Sequence, residues 1–132
     1  MSLLSVLFLV KILITSLTVA FPFIALPSHK LERVTNIRAS NAQFFRLYGV
    51  AVLALLVGYG FGIQQAETGI FPWGVTVMGL VSNGGAAFIL LSSKSGKHNL
   101  MLGSFFAAIA TALMLAMLFP EVAVSGIGAQ GA

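Results

Sequence analysis

The stretch Leu100–Phe119, LMLGSFFAAIATALMLAMLF, decides the class of this fold, because it contains no charged side chain. An α-helix rises about 1.5 Å per residue, so a run of this length crosses the ~30 Å hydrocarbon core of a bilayer. Three further stretches are also long and predominantly apolar, namely Leu3–Leu26 and Gln43–Gln64, which each contain one basic residue, and Phe71–Leu91, which contains no charged one. The sequence therefore predicts an integral membrane protein with four transmembrane helices.

Little of the chain remains outside these four spans. Only 8% of the 132 residues are charged and the mean hydropathy is +1.02, which excludes a separate soluble domain. The longest connector, Pro27–Ala42, is too short to bury a core of its own. We expect a single all-α domain over residues 1–132. Short connectors make successive helices antiparallel neighbours, so the predicted architecture is an up-down four-helix bundle.

The distribution of charge predicts the orientation of the helices. Basic side chains gather in the first and third connectors, whereas the second connector and the tail carry only Glu67 and Glu121. Because Lys and Arg mark the cytoplasmic side, both termini are predicted to be extracytoplasmic, in a bacterial inner membrane. The basic residues are expected to contact anionic lipid headgroups and not nucleic acid. They are Lys30, Arg33, Arg38, Arg46, Lys94 and Lys97.

Small residues predict where the helices pack, because close backbone approach replaces the hydrophobic effect as the source of association inside a bilayer. Every fourth residue from 104 to 116 is small, and span two ends with two glycines four residues apart. The sequence is compatible with three uses of these faces: packing within the chain, formation of a homo-oligomer, and association with a larger membrane complex. The predicted packing residues are Gly58, Gly62, Gly79, Ser104, Ala108, Ala112 and Ala116.

Lys11 is the ionisable residue that lies deepest in a predicted span, ~12 Å from the start of its helix. An uncompensated charge there costs at least ~2.5–3.5 kcal/mol. One interpretation, which the sequence favours, is that the long side chain carries its ammonium to the outer headgroups. The alternative is that Lys11 faces the interior on one helix face with Thr15 and Thr18, where only Glu67 or Glu121 could pair with it.

Asn83 lies at the centre of span three, where an unpaired amide is costly. The sequence predicts a hydrogen bond from Asn83 to a neighbouring helix, worth ~0.6–2 kcal/mol. Binding of a ligand is the alternative role.

The sequence identifies no catalytic residue, no metal site and no cofactor. The absence of cysteine excludes disulfides and thiolate catalysis. His29 and His98 lie in connectors without further ligands at metal-binding spacing, so both are expected to be solvated.

The segments Leu31–Val34 (LERV) and Arg38–Phe45 (RASNAQFF) resemble the first cytosolic loop of the glutathione-using family of microsomal transferases and leukotriene synthases. The resemblance covers about fifteen residues and implies a transferase that uses Arg33, Arg38 and Asn41. The sequence departs from that family at Phe44, where the family has a glutamate. The basic residues of the family's later helices are also missing.

Three functions are compatible with these residues. The favoured one is a non-catalytic accessory, assembly or helix-packing subunit of a membrane complex. The second is a small transporter or lipophile-binding protein that uses Lys11, Asn83 and the glycines of spans two and three. The third is the glutathione transferase. A lipid-facing Lys11 would favour the first function, and a Lys11 that lines a pocket would favour the second.

Overall fold

The computed structural model of this chain describes residues 1–35, 37–38, 41–93 and 96–127. These residues form helices and no β-strand. Four helical stretches are long and apolar enough to cross a membrane, and they are Leu3–Ala25, Gln43–Glu67, Trp73–Ser92 and Lys97–Leu118. The predicted all-α class with four such helices is therefore confirmed for the described residues.

The first of these stretches changes its helical type on the way. Helix α1 (Leu3–Thr15) is followed by a π-helical segment, Ser16–Ala20, and then by helix α2 (Phe21–Ala25). Pro22 explains the change, because proline has no N–H and its ring would clash with the carbonyl four residues earlier in an α-helix. The wider turn lets the Phe21 N–H bind the Ser16 carbonyl, which restores pairing just before the proline.

The remaining elements include two short helices that the hydropathy pattern did not predict. Helix α3 is one of them; it is predominantly polar, and its buried residues are Leu31 and Thr35. Helix α7 is the other, and it begins at a proline, which is favoured in a first turn. The bounds are α3 Ser28–Thr35, α4 Gln43–Glu67, α5 Trp73–Ser92, α6 Lys97–Leu118 and α7 Pro120–Val124.

The long helices pack as two pairs. Helices α1 and α2 lie along α4, and α5 lies along α6, whereas the two pairs contact each other much less. At the end of the molecule near the N-terminus, buried side chains that include Leu4, Phe8, Tyr59 and Leu113 lie between the pairs, beside an apolar cavity of about 370 Å³. Further along, the same space holds the cavities described below.

The outer surface carries large apolar side chains. Leu17, Val81 and Phe88 are each at least 70% exposed. Large apolar side chains exposed in this way are unfavourable in water and are suited to contact with acyl chains. The exposed surface is therefore compatible with an integral membrane protein.

Candidate functional site

Lys11 is buried inside the molecule. Its side chain is 5% exposed, so the structure differs from the prediction that the ammonium extends to the outer headgroups. The Nζ atom lies 4.2 Å from the ring centroid of Phe106 and 5.3 Å from that of Phe105. In the part of the chain that the structure describes, no carboxylate forms an ion pair with Lys11. The aromatic rings, on α6, are thus its closest electrostatic partners.

Thr15 lies one turn further along α1 and its hydroxyl is buried without a hydrogen-bond partner among the described residues. This is unusual for a threonine in this protein. Elsewhere the hydroxyl is satisfied by the carbonyl four residues earlier, as in Thr18 with Ile14, Thr35 with Leu31, Thr76 with Pro72 and Thr111 with Ala107. Thr15 is therefore left with hydrogen-bonding capacity that a neighbouring group can use.

Thr18 does not share the buried face of Lys11 and Thr15. It is exposed, and its hydroxyl donates to the Ile14 carbonyl at 2.7 Å. The prediction assumed an uninterrupted α-helix, in which residues seven apart lie on one face. The π-helical segment begins at Ser16 and changes the angle per residue, so Val19 faces inward instead.

Asn83 is 1% exposed and makes the predicted hydrogen bond to a neighbouring helix. Its Nδ2 atom donates to the Tyr59 hydroxyl at 2.8 Å and to the Gly79 carbonyl at 2.6 Å. Its Oδ1 atom is buried and has no partner among the described residues. One half of the amide therefore joins α5 to α4, and the other half remains available as an acceptor.

These polar groups line one small cavity between the two helix pairs. Lys11, Thr15 and Asn83 all border it, together with Tyr59, and its volume is about 50 Å³. That volume is close to that of one or two water molecules, at ~30 Å³ each. The structure thus brings together three of the four intramembrane polar residues that the sequence singled out.

The small polar cavity adjoins a larger apolar one of about 330 Å³. The two cavities share four lining residues, which are Val19, Tyr48, Ala86 and Phe106. The larger cavity extends to the first and third connectors, where Thr35, Ile37, His98 and Asn99 border it. A third cavity of about 250 Å³ lies at the same end and is bordered by Arg33 and Lys97 as well as His98.

The opposite end of the polar cavity is closed by packing. The rings of Phe8 and Tyr59 meet with centroids 5.1 Å apart, and Phe8 is fully buried. Leu4 and Leu113 are also buried at this end. The two adjoining cavities therefore extend from Lys11 towards the connectors that carry the basic residues. A separate apolar cavity of about 370 Å³, bordered by Leu3, Leu4 and Leu7 of α1 and by residues of α6 and α7, lies near the N-terminus.

The glycines predicted to mediate packing lie against side chains of other helices. A Cβ atom added to Gly79 would lie 2.5 Å from the Tyr59 hydroxyl, and one added to Gly62 would lie 2.7 Å from Phe8. A Cβ on Gly58 would lie 3.1 Å from Met78. Close approach of α4 to α1 and α5 depends on these positions.

The small residues of α6 are arranged differently. Ser104 and Ala108 are exposed, whereas Ala112 and Ala116 are partly buried. A step of four residues rotates ~40° around an α-helix, so the row turns gradually from the surface towards α1. The fully buried side of α6 is formed instead by Gly103, Phe106, Ile109 and Leu113. Any use of Ser104 and Ala108 for packing therefore involves another chain, and this role stays a prediction.

Arg46 has a partner inside the protein. Its Nη1 atom donates to the Phe23 carbonyl at 2.9 Å. That carbonyl would bond residue 27 in a continuing helix, but Pro27 has no N–H to offer. The other residues predicted to contact headgroups, Lys30, Arg33, Arg38 and Lys97, are exposed, and Lys94 lies outside the described residues.

The remaining predicted positions are placed as follows. Glu67 accepts the backbone N–H of Ser2 at 2.8 Å and does not pair with Lys11. Asn41, implied by the transferase resemblance, accepts the backbone N–H of Gln43 through Oδ1 and so orders the start of α4. His29 is exposed, whereas His98 is partly buried and borders the larger cavity. No cluster of three metal-binding side chains occurs within the described ranges.

Tyr59 and Phe106 are site residues that the sequence interpretation did not identify. Tyr59 is 1% exposed, and its hydroxyl accepts a hydrogen bond from Asn83. The available signal was the distance along the sequence from the connector between α4 and α5. Tyr59 lies about two turns before the end of α4, and Asn83 lies about three turns after the start of α5.

Comparison of the chain with family models, with curated proteins and with solved structures finds no match in any of the three. The function is therefore argued from the site alone.

Proposed function

We propose that this protein is a small integral membrane protein that binds a ligand between its two helix pairs, at Lys11, Thr15 and Asn83. The observation that carries the proposal is that these three side chains border one cavity, that Thr15 Oγ1 and Asn83 Oδ1 are buried without a hydrogen-bond partner among the described residues, and that no described carboxylate pairs with Lys11. A buried polar atom without a partner costs ~1–3 kcal/mol, and a lone buried charge costs more. A bound ligand that satisfies all three groups offsets those costs.

The cavity shape supports binding more than passage through the membrane. The larger cavity reaches the end of the helices that carries the first and third connectors. At the other end Phe8 packs against Tyr59. The apolar cavity of about 370 Å³ near the N-terminus shares no lining residue with the polar cavity. A transporter needs access from both sides, whereas a binding protein needs it from one.

The finer topology belongs to the same proposal. We infer that the helices alternate in direction, with both termini extracytoplasmic, because the basic residues lie in the first and third connectors. Reporter fusions at Gly96 and at Ala132 test this. A cytoplasmic reporter at Gly96 and an extracytoplasmic one at Ala132 are expected, and the reverse result would overturn the orientation.

Small molecules retained on purification test the binding proposal. The wild-type protein and Lys11→Met are extracted from their native membrane in a mild detergent, and organic extracts of both are compared by mass spectrometry. Lys30→Met is the matched control, because Lys30 is an exposed lysine that borders none of the three cavities. A compound present with the wild type and Lys30→Met but depleted with Lys11→Met is expected. Equal extracts from all three proteins would contradict the proposal.

The second candidate is a packing subunit of a larger membrane complex or a homo-oligomer. It is favoured by small residues that face outward. Ser104 and Ala108 are exposed, and a Cβ added to Gly84 or Gly85 would meet nothing within 4 Å. These surfaces allow another helix to approach closely.

Complex size in mild detergent tests this second candidate. Ala108→Leu should reduce the size of the native assembly, because the larger side chain separates the helices. Met114→Leu is the control, since Met114 is also exposed on α6 but lies about a third of a turn away. An assembly unchanged by Ala108→Leu would remove the support that this surface gives.

A further inference from the structure

We propose that the ligand is a single-chain amphiphile with a carboxylate headgroup, bound with the carboxylate at Lys11 and the chain in the larger apolar cavity. This inference rests on the proposed binding function and specifies its ligand class. It combines the charge of the small cavity, its size and the character of the cavity beside it.

Charge selects the headgroup. Among the described residues that border the small cavity, Lys11 is the only one of a type that is charged at neutral pH. The others are apolar or neutral polar residues. No described carboxylate pairs with it. A cationic headgroup would be repelled at this position, and an uncharged one would leave the ammonium without a counter-ion in a poorly solvated space. An anionic group supplies that counter-ion.

The donors and acceptors at the site suit a carboxylate. The ammonium of Lys11 has three N–H donors and the Thr15 hydroxyl has one more. A carboxylate only accepts hydrogen bonds, so both groups can donate to it. The third lysine donor remains for an acceptor such as Asn83 Oδ1, which has no other partner among the described residues.

Size excludes the larger anionic headgroups. A cavity of about 50 Å³ has room for a group the size of one or two water molecules. A carboxylate, with two oxygens on one carbon, is of that size. A phospholipid headgroup, which carries a phosphate and a further substituent, is not.

The larger cavity supplies the apolar part of the site. Its volume is about 330 Å³, and it is bordered by aromatic and aliphatic side chains, among them Phe23, Phe45, Ile89 and Leu102. This volume lies in the range of ordinary small-molecule pockets, ~300–1,000 Å³. Because the two cavities share Val19, Tyr48, Ala86 and Phe106 as lining residues, a chain in the larger one ends beside the small cavity that Lys11 borders.

The basic residues at the connector end have a different role. Arg33 and Lys97 are exposed and border the third cavity. Since solvent already satisfies their charges, they attract an anion to the entrance without determining how tightly it is held. The buried Lys11, which solvent does not satisfy, determines the affinity.

Binding of carbon-14-labelled dodecanoate to the full chain in phosphatidylcholine nanodiscs tests the proposal. Dodecan-1-ol and dodecylphosphocholine serve as competitors with the same chain and a different headgroup. We expect both to compete at least about tenfold more weakly than unlabelled dodecanoate. We expect Lys11→Met to weaken dodecanoate binding at least about tenfold, and Lys30→Met to leave it unchanged.

Three outcomes would overturn the proposal: equal competition by dodecan-1-ol, equal or stronger competition by dodecylphosphocholine, or dodecanoate binding that Lys11→Met does not weaken. Thr15→Val provides a second variant that conserves the shape of the side chain, and its dodecanoate affinity should fall by a smaller factor than that of Lys11→Met. Undiminished affinity in both variants would also count against the site.

If dodecanoate does not bind but native extracts still show a Lys11-dependent compound, the ligand class is wrong and the binding function stands. If no compound depends on Lys11, the binding function fails as well.

Discussion

Helix α1 and its N-cap carry two groups of buried polar side chains, and only the first group is hydrogen-bonded within the protein. Near its start, the hydroxyls of Ser2 and Ser5 lie 2.8 Å apart, Ser2 Oγ accepts the Ser5 N–H, and Glu67 accepts the Ser2 N–H. In its second half, Lys11 lacks a carboxylate partner and the Thr15 hydroxyl lacks any, within the described part of the chain. Both groups lie beside α4 on the same helix.

The difference shows how structural and functional polar groups can be distinguished. Burial is expensive for both groups, and the serine group recovers the cost through internal hydrogen bonds. The group formed by Lys11 and Thr15 does not recover this cost, although one acidic residue beside Lys11 would have been enough to form an ion pair with it. Polar residues that the fold leaves without partners are therefore better candidates for a ligand site than polar residues that are only buried.

Gly79→Val should have the largest effect, because it disrupts the packing of Tyr59, which borders the same cavity as Lys11. The first added carbon would already lie 2.5 Å from the Tyr59 hydroxyl and 2.8 Å from Leu113. Overpacking of this kind costs about 3 kcal/mol in the free energy of unfolding. Unfolding in mixed micelles measures the loss. Gly84→Val is the control on the same helix, since a Cβ there meets nothing within 4 Å; similar losses in both variants would contradict the packing described.

Lys11→Met should stabilise the folded protein when no ligand is bound. The change removes an uncompensated buried charge at the cost of its contacts with the rings of Phe105 and Phe106, which are worth ~0.5–2 kcal/mol. We expect a net gain of about 2 kcal/mol, seen as a higher melting temperature in detergent after delipidation. A large loss of stability would mean that Lys11 has a partner in the folded protein. The Lys11 and Thr15 group would then be satisfied internally, as the Ser2 and Ser5 group is.

Thr15→Val and Thr76→Val form a matched pair that sharpens the comparison. Both hydroxyls are buried, but only Thr76 donates to a carbonyl, that of Pro72, at 2.9 Å. Replacing the unpaired hydroxyl of Thr15 should stabilise the protein by about 1 kcal/mol. Replacing the paired one should be neutral or destabilising by a similar amount. Chemical unfolding of both variants measures the difference, and equal changes would count against an unpaired Thr15.

Glu67→Gln should have the smallest effect. It weakens the hydrogen bond to the Ser2 N–H and the 3.8 Å contact with the N-terminal ammonium. Because solvent reaches the carboxylate and screens its interactions, we expect only a small decrease in the melting temperature. Glu121→Gln, at an exposed residue on α7, is the control. Thermal unfolding at low ionic strength measures both, and a Glu67→Gln variant as stable as the control would show that the serine group needs no carboxylate.

The sequence predicted the helices better than it predicted their faces. Hydropathy located all four apolar helices, since length and composition alone determine that signal. It ended span two at Gln64, whereas α4 continues to Glu67, because a helix does not stop where its apolar run stops. It also missed α3, whose buried contacts come from only Leu31 and Thr35.

The site was predicted in part for the same reason. Lys11, Thr15 and Asn83 attract attention as polar residues in apolar spans, and Lys11 was assigned to the wrong surroundings because the choice depends on neighbouring helices. Its partner rings belong to α6, almost a hundred residues away in sequence. Thr18 was assigned to the wrong face because the π-helical segment alters the rotation of the chain without altering its hydropathy.

The π-helical segment also makes the first helical stretch sensitive to the number of its residues. A π-turn corresponds to one residue inserted into an α-helix. Deletion of a single codon between positions 16 and 20 would therefore remove the wide turn that precedes Pro22 and rotate α2 by ~100° relative to α1. Lys11 and Thr15 would keep their places, but Phe23 would turn away from Phe45 and from the guanidinium of Arg46. Substitutions in this segment are expected to be tolerated far better than deletions or insertions, so the length of this segment is constrained more strongly than its composition.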